Sequence, residues 1–163
     1  HGCRKKSAST SHKMPISSKS CQRTGAKNQQ MSKTLLDASA LLALIHRERG
    51  HEAVAEAIPN AAMSSVNVAE VTGKLGERGL PQHRAREIPL AFGMEIIPLD
   101  TETALQAGQL RPITKSFGLS LGDRCCLATA QTYRLPVLTA DAAWVHVTDM
   151  LNLTIQHIRT GGA

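Results

Sequence analysis

The sequence predicts an α/β domain built around a mainly parallel sheet. From Met31 onward, short apolar runs alternate with longer helical stretches, which is the pattern of strands joined by crossover helices. Gly, Pro and Ser residues separate these segments and supply the expected caps and stops. With 163 residues, of which 42% are hydrophobic, the chain can bury one substantial core.

Four elements are predicted before residue 64, in chain order: strand Lys33–Leu36, helix Ala40–Arg49, helix His51–Ile58 and strand Ala61–Met63. Ser39 is placed to cap the first helix, and Gly50 to end it. Pro59 stops the second helix because it cannot donate a helical hydrogen bond.

The second part of the chain continues the alternation. We expect four helices and three strands, in chain order: helix Val66–Arg78, a helix from Pro81 towards Phe92, strand Met94–Pro98, helix Thr101–Lys115, helix Leu121–Tyr133, strand Pro136–Leu138 and strand Leu153–Ile158. Ser64 or Ser65 is the cap expected for the first of these, and Asp100 for the helix at Thr101.

Charge is distributed unevenly along the chain. Residues 1–30 carry seven Lys or Arg and no acid, whereas the rest carries twelve basic residues against thirteen acidic ones. The folded part, residues 31–163, is therefore not a basic module, and we expect 1–30 to be a disordered basic tail of upstream or cloning origin. A basic arm that grips RNA is the alternative.

The cysteines and the apolar runs indicate the compartment. Cys125 and Cys126 are adjacent and cannot form an ordinary disulfide with each other, which favours a reducing cytosol. No apolar run approaches the roughly 20 residues needed to span a bilayer. We expect a soluble, cytoplasmic protein without membrane contact.

The acidic residues fall at the ends and starts of the predicted elements. Asp37 directly follows the first strand and Asp141 follows the strand at Pro136–Leu138, so both are expected at the carboxyl edge of the sheet, where ligands bind. Glu70 lies among apolar residues on one helix, and Asp123 lies in the first turn of another. Taken alone, each Asp is better explained as a cap or turn residue than as part of a functional site.

Convergence of four acids would need a cation. Two carboxylates about 4 Å apart repel by ~4 kcal/mol at an effective dielectric constant near 20. An all-oxygen ligand set without paired Cys or His favours Mg²⁺ or Mn²⁺ over zinc. Such an ion can activate water for attack on a phosphodiester. Arg124, beside Asp123, is expected either to orient that carboxylate or to contact a phosphate.

Four segments, in order, resemble the successive motifs of PIN-domain ribonucleases, and of VapC-type toxins in particular: Leu35–Ala40, Ser64–Glu70, Leu119–Asp123 and Leu138–Asp141. The resemblance implies a PIN-like three-layer α/β/α domain, Mg²⁺- or Mn²⁺-dependent endoribonuclease activity on RNA, homodimerisation and inhibition by a cognate antitoxin. By motif position it assigns catalysis and metal binding to four acids and a supporting role to two hydroxyls: Asp37, Glu70, Asp123 and Asp141, with Ser39 and Thr139.

Two other functions compete with a nuclease. A phosphoryl-transfer domain also places Asp after the first strand, but it expects a late active-site lysine, and no lysine follows Lys115. A PIN-like module that binds RNA or a partner without cutting would not need all four acids. Aromatic residues make up only 2% of the chain, which argues against a sheet that stacks RNA bases.

Overall fold

The computed structural model describes residues 33–160. Within them, five short strands form one sheet in the order β3-β2-β1-β4-β5, and every neighbouring pair is parallel. The strands are β1 Thr34–Leu36, β2 Ala61–Ser64, β3 Glu95–Ile97, β4 Val137–Thr139 and β5 Ile155–His157. The predicted α/β class with a mainly parallel sheet is confirmed.

Helices fill the connections between the strands. In chain order they are α1 Ala38–His46, α2 His51–Ala57, α3 Ser65–Glu77, α4 Gln82–Ala91, α5 Thr101–Gln109, α6 Arg111–Thr114, α7 Leu121–Tyr133 and α8 Thr148–Leu151. Short 3₁₀ turns occupy Ile58–Asn60, Lys115–Phe117 and Ala142–Val147.

The central strand β1 shows why the domain has three layers. Leu35 and Leu36 are both fully buried, and because successive residues of a strand point to opposite faces, each joins a different core cluster. Leu35 packs in the cluster that contains Leu127 of α7, and Leu36 in the cluster that contains Leu41 of α1. Helices therefore cover both faces of the sheet, as a buried parallel sheet requires.

Three local predictions were wrong. Helix α1 ends at His46 rather than Arg49, with Arg47 in the left-handed conformation as its cap, and Gly50 caps the start of α2 instead. Asp37, not Ser39, caps α1, since its carboxylate accepts from the backbone N–H of Ala40. The single helix expected over Thr101–Lys115 ends instead at Gln109, and a new helix starts at Arg111 with Pro112 in its first turn. Proline has no N–H with which to continue the helical ladder.

Two other predicted caps are confirmed. Ser64 is the residue that caps α3, with its hydroxyl accepting from Val66, and Asp100 caps α5 by accepting from Thr103. The 3₁₀ turn at Ala142–Val147 and helix α8 were not predicted.

Some expectations concern parts of the chain that the structure does not describe. The proposal that residues 1–30 form a disordered basic tail lies outside residues 33–160. Within the described range, no helix is both long enough and apolar enough to cross a bilayer.

Candidate functional site

The carboxyl edge of the sheet brings together the ends of β1 and β4. These strands are direct neighbours, with Leu36 paired to Leu138, and the backbone N–H of Asp37 donates to the carbonyl of Leu138. Asp37 and Thr139 therefore face each other although 102 positions separate them in the sequence. The parallel topology places the expected acid and the expected hydroxyl at one point.

Asp37 is held by donors from three residues. Its Oδ1 accepts from the Ala40 backbone N–H at 2.8 Å and from the Ser39 hydroxyl at 2.8 Å. Its Oδ2 accepts from the Thr139 hydroxyl at 2.9 Å and lies 3.0 Å from the same Ser39 hydroxyl. The carboxylate thus has a fixed orientation.

Burial dominates the protonation of Asp37. The residue is only 2% exposed, and this desolvation raises the pKa of its carboxyl from 3.8 to about 7. The hydrogen bonds from Ala40, Ser39 and Thr139 oppose the shift, and the negative charge of Asp123 adds to it. Without a compensating cation, this carboxyl is poised to take up a proton near neutral pH.

The two hydroxyls extend the network to the loop after β4. Ser39 accepts at Oγ from the backbone N–H of Ala140 at 2.9 Å, and Thr139 accepts at Oγ1 from that of Asp141 at 3.0 Å. Each hydroxyl therefore donates to Asp37 while accepting from a backbone N–H of the loop after β4. Ser39 and Thr139 lie where a supporting role for Asp37 requires them.

Asp141 has a different environment from Asp37. It is exposed, and its Oδ1 accepts from the backbone N–H of Ala143 at 2.9 Å, which caps the 3₁₀ turn at Ala142–Val147. Its link to the buried acid runs through Thr139. Asp141 stands at the solvent side of the site.

Asp123 begins α7 as part of a capping box. Its Oδ2 accepts from the backbone N–H of Ser120 at 2.6 Å, and the Ser120 hydroxyl accepts from the backbone N–H of Asp123 at 3.2 Å. The structural and functional interpretations of Asp123 are therefore compatible, because one carboxylate oxygen is engaged with Ser120 and the other is not part of the box.

Glu70 approaches Asp123 from α3. The pKa of Glu70 is raised, first by burial of its carboxyl and then by the negative charge of Asp123. A hydrogen bond from Asn67 and the charge of Lys74 act in the opposite direction. Glu70 and Asp123 are thus close enough to repel each other at the start of α7.

The negative charges of three acids act on the buried thiol of Cys126. Burial raises its pKa well above the ordinary value, and the negative charges of Asp37, Asp123 and Glu70 raise it further. Within residues 33–160, however, no three His, Cys, Asp or Glu side chains converge closely enough to form a ready set of metal ligands. The donor chemistry fits a hard divalent cation, which would relieve the mutual repulsion.

Sequence reasoning missed Asn67 and misread Arg124. Asn67 is fully buried on α3, and its amide donates to the carbonyl of Gly122 at 3.5 Å. A polar residue one helical turn before Glu70, in an apolar run, is the signal that could have identified it. The idea that Arg124 orients Asp123 is wrong: Ser120 does so, and the buried Nε and Nη1 of Arg124 have no partner among the described residues.

Several solved structures share this architecture. A toxin–antitoxin complex from Klebsiella pneumoniae matches with 27% identity and a TM-score of 0.53, over 67% of this chain and 87% of that one. The DNA-bound VapBC of Salmonella typhimurium matches with 19% identity and a TM-score of 0.60, over 78% and 99%. FitAcB from Neisseria gonorrhoeae matches with 20% identity and a TM-score of 0.57, also over 78% and 99%. No curated protein sequence matches the chain.

The sequence model of the PIN domain family matches residues 34–149 of this chain. Members of this family are generally nucleases. That range includes β1 with Asp37, the facing helices α3 and α7, and β4 with Thr139. The fold, the order of the acidic motifs and the family match agree, and the chain belongs to the PIN domain family.

Proposed function

We propose that this chain is an endoribonuclease that hydrolyses RNA phosphodiester bonds with the help of Mg²⁺ or Mn²⁺ and acts as the toxin of a toxin–antitoxin pair. The observation that carries the proposal is the raised pKa of two acids of the PIN-like motifs, Asp37 and Glu70, which burial causes first and the negative charge of Asp123 increases. Asp141, on the solvent side, is linked to Asp37 through Thr139.

Electrostatics supports a metal-dependent reaction. Clustered carboxylates repel the phosphates of RNA as well as one another, so the bare acids are unsuited to bind this substrate. A divalent ion, when bound, supplies water activation and neutralises charge on the phosphodiester. Asp37, Glu70, Asp123 and Asp141 are the residues that would hold it.

The residues around Asp37 have a separate task. Ser39 and Thr139, together with the backbone N–H of Ala40, are three hydrogen-bond donors that keep the Asp37 carboxylate in one orientation. A ligand held in advance loses less entropy when its partner arrives. Asp123 is similarly fixed by Ser120.

A metal titration tests the enzymatic proposal. Full-length protein should cleave a structured RNA with Mg²⁺ or Mn²⁺ and stop in EDTA, and the metal should raise the melting temperature through binding to the folded state. At 100 times its dissociation constant, the ion would stabilise the fold by about 2.7 kcal/mol. Full cleavage in EDTA would contradict the proposal, and metal and RNA binding without cleavage would favour a binding module.

The substitution Asp123→Asn separates function from stability. Asn retains an oxygen that can accept from Ser120, and it removes the charge that opposes ionisation of Asp37 and Glu70. We expect cleavage to be lost while the metal-free melting temperature stays the same or rises, and added Mg²⁺ to stabilise the variant much less than wild type. Retained cleavage with a slightly lower melting temperature would leave Asp123 with only its capping role.

The toxin assignment implies a protein partner and a homodimer. It is supported by the 27% identity of this chain to a chain of the toxin–antitoxin complex from Klebsiella pneumoniae. Exposed apolar side chains such as Leu105, Leu121 and Val145, each more than half exposed, offer surface that a partner can cover.

Light scattering and co-purification test these partners. We expect the mass of a dimer for the isolated chain, and inhibition of RNA cleavage by an antitoxin encoded beside it. A monomer that no neighbouring gene product inhibits would remove the toxin assignment and leave the nuclease standing.

A further inference from the structure

The carboxylate of Glu70 lies directly against the backbone of α7 at Gly122. A Cβ placed on Gly122 would come within 2.6 Å of Glu70 Oε2, far inside van der Waals contact. The other glycines inside described helices differ: Cβ atoms on Gly73, Gly76 and Gly108 would meet nothing within 4 Å. Only at Gly122, among these helical glycines, does the missing side chain make room for a functional group.

Asn67 closes the same junction from the side of α3. Its side chain is fully buried, and its amide donates to the carbonyl of Gly122. It also reaches the Glu70 carboxyl one helical turn further along, where its hydrogen bond favours the charged form. The Asn67 amide thus ties α3 to the first turn of α7 at the point where Glu70 rests.

We propose that Gly122 is a positioning residue whose bare Cα, with Asn67 beside it, forms a seat that holds the Glu70 carboxylate next to Asp123. The proposal rests on the proposed function in one respect, namely that Glu70 contributes to metal binding and RNA cleavage. The steric part stands on the contact between Glu70 and Gly122 alone.

The seat determines the position of the Glu70 side chain and is not needed for the domain to fold. The group that a new methyl would strike is the far end of a flexible glutamate, which can rotate away. Alanine is also a better helix former than glycine, so a methyl in the first turn of α7 does not weaken the helix itself. Gly122→Ala should therefore leave the domain folded and displace the carboxylate.

Gly73→Ala is the matched control, since it makes the same change within α3, where a Cβ meets no atom within 4 Å. In the full-length chain we expect Gly73→Ala to bind Mn²⁺ and cleave RNA as wild type does. Gly122→Ala should lose at least tenfold in Mn²⁺ affinity, measured by electron paramagnetic resonance, and at least tenfold in kcat. Equal behaviour of the two variants would overturn the proposal.

A double-mutant cycle with Glu70→Ala identifies the group that is struck. In the Glu70→Ala background there is no carboxylate to displace, so Gly122→Ala should cause no further loss of Mn²⁺ binding and should raise the melting temperature as Gly73→Ala does. If Gly122→Ala alone failed to fold, removal of Glu70 should restore folding. A double variant that stayed unfolded, or that lost binding as the single variant did, would show that Glu70 is not the group.

The cycle also separates this inference from the proposed function. If wild type neither binds Mn²⁺ nor cleaves RNA, the proposed function fails. The seat is then judged by melting temperature alone: a dependence of the Gly122→Ala effect on Glu70 supports it, and additivity of the two substitutions overturns it.

Discussion

Asp37 and Asp141 occupy corresponding places in the topology but very different surroundings. Each follows one of two neighbouring central strands, β1 and β4, and each caps the segment that comes next. Asp37 is buried beneath two hydroxyls and a backbone N–H, whereas Asp141 is exposed with one backbone donor. A position at the end of a strand is therefore enough to bring an acid to this edge of the sheet. The burial of the carboxylate and the donors around it then determine its protonation and its orientation.

The largest difference between the two acids should appear in catalysis. Asp37→Asn keeps the shape of the side chain but removes the charge at the most buried point of the site. We expect cleavage to fall about a thousandfold or more, which corresponds to ~4 kcal/mol of lost transition-state stabilisation. Kinetics on a defined RNA with saturating Mn²⁺ measures it. Cleavage within tenfold of wild type would mean that the buried acid is structural.

The pH dependence of stability should follow from Asp37. Its carboxyl titrates at 3.8 ordinarily and at about 7 in the fold, so between these values the folded protein holds a proton that the unfolded chain has released. The free energy of unfolding of the metal-free protein therefore falls as the pH rises from about 4 to above 7, by at most ~4 kcal/mol from this group. The raised pKa of Glu70 acts in the same direction.

Denaturant titrations of metal-free protein at pH 5 and pH 8 measure this slope. Asp37→Asn, whose side chain does not titrate, should reduce the slope to the part that Glu70 contributes. A wild-type protein that is equally stable at both pH values, or a slope as steep in Asp37→Asn as in wild type, would show that burial of Asp37 does not control the titration.

The hydroxyl between the two acids can be removed without changing side-chain size. Thr139→Val takes away the bond to Asp37 and leaves the backbone N–H of Asp141 without its acceptor. We expect a loss of about 1–2 kcal/mol in the free energy of unfolding and a further rise in the pKa of Asp37. Thr139→Ser, which restores the hydroxyl, should recover most of the stability. If Ser and Val behaved alike, methyl packing would be the important contribution.

The smallest effect is expected at the exposed acid. Asn caps as well as Asp, so Asp141→Asn should change the free energy of unfolding by less than about 0.5 kcal/mol. Because an exposed charge interacts through a high dielectric, we expect cleavage to fall by less than about tenfold. A loss as large as that of Asp37→Asn would erase the distinction between the buried and the exposed acid.

The sequence was sufficient to place Asp37 and Asp141 at one edge because strand ends in a parallel sheet meet there whatever the details of packing. The same reasoning did not reveal that only one of them is buried. Nor did it identify the contact of Gly122 with Glu70, because that contact depends on how closely α3 and α7 approach. Asn67 and Gly122 are 55 positions apart, and no local pattern records their separation in space.

Local signals also failed where elements were short. The 3₁₀ turn after Asp141 and helix α8 are too brief to show a helical period, and Pro112 was not recognised as a break. The same 3₁₀ turn carries Trp144, which is fully buried. Burial of a large side chain is easier to predict than the backbone geometry that delivers it.

The hydrogen bond from Thr139 to Asp37 has a consequence for biosynthesis. It joins residues 102 positions apart, and β1 pairs with β4 only once residues 137–139 have been made. Because chains emerge from the ribosome starting at the amino end, Asp37 is synthesised long before Thr139, which donates a hydrogen bond to it. On the proposed function, a nascent chain cannot cut RNA until β4 has been synthesised and has docked, so the ribosome that makes the enzyme and the message it is reading are spared up to that point.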